Sequence, residues 1–105
     1  MVGLAQNSNS LKNMIYRLFI GSNNKTHRLA IKKILKIVNR YYPGFTSYQV
    51  MGYWQGIPEK SLVVEVGTQT VENETIQKLA KELAKELKQE AIGVQMINSE
   101  MQFLK

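Results

Sequence analysis

Glu59 is the side chain in this sequence best suited to chemistry. It lies in the segment Gly44 to Gly67, GFTSYQVMGYWQGIPEKSLVVEVG, together with Tyr48, Tyr53 and Trp54. A carboxylate among aromatic faces suits a cationic small molecule, because both attract positive charge once water is partly excluded. Glu65 is a second carboxylate in the same segment; it interrupts the apolar run LVVEV, as an edge or interface residue would.

The remaining inventory is thin. The chain has no cysteine, which excludes disulfides, thiolate metal sites and cysteine nucleophiles together. It has no aspartate, so a Ser/His/Asp triad would need a glutamate in its place. The single histidine, His27, reads as a solvated residue in the first turn of a helix rather than a base. There is no His/Cys cluster, no closely spaced carboxylate pair outside the second helix, and no Gly-rich phosphate loop. No metal or cofactor is therefore expected, and any reaction must ask little of protein side chains.

The elements that must hold these residues follow from periodicity. MIYRLFIG, Met14 to Gly21, reads as a first strand, followed by the turn-rich GSNNK. Thr26 is a reasonable N-cap for a helix carrying Leu29, Ile31, Ile34, Leu35, Val38 and Tyr41 at helical spacing, stopped by Pro43 and Gly44. Phe45 to Trp54 and Ser61 to Val66 read as two strands joined by a polar turn that carries Glu59 and Lys60. Asn73 caps a second helix with the stripe Ile76, Leu79, Ala80, Leu83 and Leu87, and Ala91 to Ile97 is the last core strand. Met101 to Leu104 is a candidate short edge strand or packed coil.

The resulting order, strand, helix, strand, strand, helix, strand, is the α+β ferredoxin-like βαββαβ arrangement with an antiparallel sheet. Residues 1–13 read as a polar lead-in and residues 14–105 as one domain. The strands are apolar on both parities: Tyr16, Leu18 and Ile20 against Ile15 and Phe19, and Leu62, Val64 and Val66 against Val63. Helices cover one face only, so the other is expected to be buried by further copies of the chain, as a homotrimer with clefts between subunits.

The 105 residues, 44% of them hydrophobic, support one modest core. No run approaches the roughly 20 apolar residues of a membrane span, and the N-terminus lacks a secretion pattern, so a cytoplasmic protein is expected. The net charge of +6 has much of its excess between Lys12 and Arg40. Lys32, Lys33, Lys36 and Arg40 fall on the polar side of the first helix and read as a solvated face, which makes nucleic acid an unexpected partner.

A Gly-aromatic segment (Gly52, Tyr53, Trp54), the Glu59–Lys60 pair with Ser61, and Gln89 before the last core strand together resemble, in order and spacing, the phage-encoded S-adenosylmethionine lyases, formerly described as hydrolases. Uncharacterised small bacterial proteins share the G-x-W-x-G, E-x-S and Q-E elements. The resemblance spans roughly Tyr16 to Ile97. It implies a P-II-like trimer and cleavage of S-adenosylmethionine to methylthioadenosine and homoserine lactone by attack of the substrate's own carboxylate, with no cofactor. It further implies that Glu59 and Tyr48 are the catalytic pair, Glu59 holding the substrate ammonium and Tyr48 adding a hydroxyl contact. Gln89, Ser61, Tyr53 and Trp54 would bind substrate, although Trp54 reads first as a packing residue. Depletion of S-adenosylmethionine in an infected bacterial host would serve a bacteriophage as anti-restriction. The alternatives are a P-II-like trimeric adenine-nucleotide sensor without turnover, and a small basic nucleic-acid-binding protein using the first helix.

Overall fold

A computed structural model describes residues 14–68 and 74–98. Its elements are β1 (Met14–Gly21), α1 (Ile31–Tyr41), β2 (Thr46–Trp54), β3 (Ile57–Thr68), α2 (Glu74–Glu86) and β4 (Gly93–Asn98). The expected polar lead-in, the Asn73 cap and the Met101 to Leu104 strand lie outside the described residues.

The four strands form one sheet in the order β2-β3-β1-β4, with every neighbouring pair antiparallel. Both helices lie on one face, and the fold is the expected α+β ferredoxin-like arrangement. Strand alternation makes the core: Tyr16, Leu18 and Ile20 of β1 and Leu62, Val64 and Val66 of β3 meet Ile34, Ile37 and Val38 of α1 and Ile76, Leu79 and Leu83 of α2. Tyr41 donates a hydrogen bond to Glu82 and Arg40 pairs with the same carboxylate at 2.5 Å, which ties the two helices together along their exposed seam. Ile37, absent from the stripe read in sequence, is 3% exposed and belongs to this core.

Three local expectations are corrected. The β2–β3 turn is not at Glu59–Lys60 but at Gln55–Gly56, whose φ values of 50° and 80° give both central residues the left-handed backbone of a type I′ hairpin turn. Glu59 and Lys60 are strand residues, and Pro58 is tolerated in β3 because β1 has already ended and leaves a local edge there. Helix α1 begins at Ile31, capped by Ala30 without a side-chain hydrogen bond. Thr26 and His27 precede it in a loop, where Asn23 Oδ1 accepts from the Lys25 and Thr26 amides at 2.8 and 3.0 Å. That Asx turn occupies the residues that the N-cap reading assigned to the helix. Strand β4 starts at Gly93, two residues later than the apolar run suggested.

The opposite sheet face carries Arg17, Phe19, Val63, Glu65 and Tyr48, and among the described residues no helix covers it. Phe19 is 46% and Tyr48 41% exposed there.

Candidate active site

The site begins where β1 stops. The last β1–β3 pair is Gly21 with Ser61, whereas β3 runs on to Ile57 beside β2. Glu59, opposite Gly52, thus projects beyond the end of β1 and reaches back along it. Its Oε1 accepts a hydrogen bond from the Ser22 amide at 3.0 Å. Gly21 makes this possible: a β-carbon at that position would stand 2.5 Å from the same oxygen. Ser22, 6% exposed, also donates its hydroxyl to the Lys60 carbonyl. From the other side Gln89, in the loop after α2, donates its Nε2 to the Gly21 carbonyl at 2.7 Å. Glu59 and Gln89 are therefore joined through two residues of backbone.

Glu59 Oε2 makes no hydrogen bond or ion pair among the described residues, and Glu59 lines an open cleft of about 430 Å³. Ser22, Asn23, His27 and Glu59 give the cleft its polar wall, and Met51 and Ile57 its apolar one. That size and mixture fit a small molecule with one cationic group. Lys60 lines the same cleft, but as the next residue in the strand it leaves the backbone on the opposite side from Glu59, and the two form no ion pair.

A second polar group runs across the uncovered sheet face. The Tyr48 hydroxyl donates to Glu65 Oε2 at 2.8 Å, and Arg17 Nε donates to the same oxygen at 2.8 Å. Arg17 also reaches Gln95 Oε1 at 3.4 Å, so the row touches all four strands. The Tyr48 hydrogen bond, and then Arg17, hold the Glu65 carboxyl below the usual carboxylate range. The same bond to Glu65 raises the Tyr48 hydroxyl above its ordinary value, with partial desolvation adding to it. Tyr48 is thus a neutral donor at physiological pH and no base.

Of the residues named from sequence, Glu59 and Gln89 come together, and Ser61 sits beside Gly21 on the Glu59 face of β3. Tyr48 does not join them. It pairs with Val63, four residues along β3 from Glu59, a separation of about 13 Å at strand spacing. Tyr53 and Trp54 flank the hairpin turn, 70% and 73% exposed, so Trp54 is largely solvent-exposed in this chain. Sequence reasoning missed Gly21, Ser22 and Arg17. Of these Arg17 alone left a signal, as a charge inside an apolar strand on the parity of Ile15 and Phe19.

No protein-family model matches the chain, and no curated protein matches it in sequence. Among solved structures it is similar to a phage SAM lyase in complex with S-methyl-5'-thioadenosine, at 17% identity and a TM-score of 0.60 over 83% of this chain and 81% of that one. It is also similar to a phage SAM lyase in the apo state, at 20% identity and a TM-score of 0.51 over 86% and 92% of the two chains. At these identities the likeness is one of fold, and the fold is one that an enzyme of S-adenosylmethionine uses.

Proposed function

We propose that this chain is a S-adenosylmethionine lyase. The observation that carries the reading is the seated Glu59 carboxylate, held by the Ser22 amide through one oxygen, with the other unpaired, in a residue that lines a small-molecule cleft. The fold shared with a phage SAM lyase supports it.

In the proposed reaction, the substrate carboxylate oxygen attacks the carbon next to the sulfonium. The carbon–oxygen bond forms as the carbon–sulfur bond breaks, and the electron pair of the latter passes to sulfur. The products are neutral methylthioadenosine and homoserine lactone, which keeps its ammonium group. No proton moves and no outside nucleophile enters. Glu59 Oε2 holds the ammonium and so folds the methionine arm into a near-attack shape, which removes the rotational freedom that ring closure would otherwise cost. Two opposite charges vanish in this step, so a cleft poor in water favours it.

Gln89 acts by holding the Gly21 carbonyl, which places the Ser22 amide beneath Glu59. Tyr48, Tyr53 and Trp54 serve across a subunit boundary. A homotrimer that buries the uncovered sheet face brings the Tyr48 row and the hairpin tip of one copy against the cleft of its neighbour, with Ser61 at the seam. In that setting the enzyme works in the cytoplasm of an infected bacterium and removes the methyl donor on which restriction–modification depends.

Incubating the pure chain with S-adenosylmethionine and separating the products by chromatography tests the reading. Methylthioadenosine and homoserine lactone in equal amounts are expected. Binding without product would leave the adenine-nucleotide sensor, and neither binding nor product would remove both.

A further inference from the structure

The charge of this chain is not spread over its surface. Among the described residues, the strands carry two cations, Arg17 and Lys60, against two carboxylates, Glu59 and Glu65. The helices and their flanking loops carry ten cations against four carboxylates, so the helical layer accounts for the whole excess. Three of those carboxylates are engaged, Glu86 by Lys33, Glu82 by Arg40 and Glu74 by Lys78. Lys32, Lys36, Lys81, Lys85, Arg28 and Lys88 have no acidic partner among the described residues and are all exposed.

Lys32 and Lys36 stand four residues apart on α1, and Lys81 and Lys85 four apart on α2. Like charges at this spacing destabilise a helix by about 0.2–0.5 kcal/mol per pair, and the opposite arrangement is available, since Glu74–Lys78 uses it in the same helix. The first turn of α1 has no acidic residue to offset its lysines. Helices α1 and α2 lie side by side, so the two lysine rows run along one rigid layer on the side away from the uncovered sheet face.

We infer that this helical layer binds the phosphate backbone of nucleic acid. A membrane surface fits less well: cationic helices that lie on lipid insert large apolar side chains between their charges, whereas here neither helix carries an exposed large hydrophobic among the described residues, Val94 and Met96 beside Lys81 belonging to β4. The cations on the layer are mostly lysines, point charges that neutralise phosphate without the planar fork used to read bases, so binding is independent of sequence. This surface is separate from the Glu59 cleft and stands whether or not the chain is a lyase.

The test is fluorescence anisotropy of a short labelled duplex, DNA and RNA in turn, titrated with the full chain between about 50 and 200 mM salt. Affinity is expected to fall linearly in log–log terms, with a slope steeper than about −4 on DNA. The variant K32Q/K36Q/K81Q/K85Q should flatten that slope by roughly 3 to 4 and weaken binding at least tenfold at the lowest salt. Glutamine has nearly the helix propensity of lysine, and the matching Lys→Arg variant should retain binding. Binding of either duplex with this dependence supports the inference. No salt-dependent binding, a slope unchanged by the glutamine substitutions, or tighter binding to vesicles rich in phosphatidylserine than to either duplex would overturn it.

Discussion

Gly21 and Glu59 share one space: the carboxylate of Glu59 lies where a β-carbon on Gly21 would be, 2.5 Å from it. The backbone of Gly21 is not left-handed, so alanine is conformationally acceptable there, and the atom it would displace is the far end of a flexible side chain. Gly21→Ala should therefore move the carboxylate without unfolding the chain. A fall in lyase kcat/KM of about tenfold or more is expected, which corresponds to at least about 1.4 kcal/mol, with a cooperative melt of the folded chain retained. Product chromatography and a thermal melt on the same sample check it. Full activity would show that this seating of Glu59 is not needed.

Glu59→Gln keeps the shape and removes the charge. A charge-assisted hydrogen bond contributes about 1.5–3 kcal/mol, so kcat/KM for S-adenosylmethionine should fall by about 10- to 150-fold while the oligomeric mass is preserved. Near-normal turnover by this variant would assign the ammonium to another carboxylate, Glu65 first.

The Tyr48–Glu65–Arg17 row makes stability depend on pH in a definite direction. Because the Glu65 carboxyl is held below its ordinary value of 4.5, its contribution is complete above that value and is lost as pH falls through the lowered one. Tyr48 is raised above 10.0, so its contribution is complete below that and is lost as pH rises through the raised value. Urea midpoints of wild type and Glu65→Gln should thus differ near neutrality and converge in acid. A difference that widens in acid would reverse the assignment.

Phe19 stands 46% exposed on the sheet face that no helix covers. If copies of the chain bury that face, Phe19→Glu should yield monomers in light scattering and abolish lyase activity, with the circular dichroism of the folded subunit retained. Its position outside the helix-facing core is what makes this separation testable. A wild-type chain of monomeric mass that still turns over substrate would place the whole site within one subunit.

The elements were legible because their hydrophobic periods are strong: β1 was read with the bounds it has, and the α2 stripe contains all three of its buried residues. The turn was not. Pro58, Glu59, Lys60 and Ser61 have turn-like composition, whereas Gln55 is an uncommon residue for a left-handed position and gives only Gly56 as a cue. The displacement matters, because strands ending at Trp54 and beginning at Ser61 would set those two residues opposite each other, whereas the observed turn pairs Trp54 with Ile57 and brings Tyr48 to Glu65. The partners of Glu59 were hidden for another reason. Ser22 is 37 residues away, and a side chain accepting from a backbone amide leaves no signature in residue type.

Beyond Gly21 the sheet narrows to two strands, and such a ribbon is marginally stable unless braced. Ser22 supplies the brace, through its amide to Glu59 and its hydroxyl to Lys60. The ribbon should accordingly behave as a sprung jaw: its amides at Ile57, Glu59 and Lys60 exchange with solvent by local opening, far faster than those of Leu62 to Glu65, which have strands on both sides. A small molecule can then enter or leave the Glu59 cleft by flexing one edge of the molecule while the core keeps its shape.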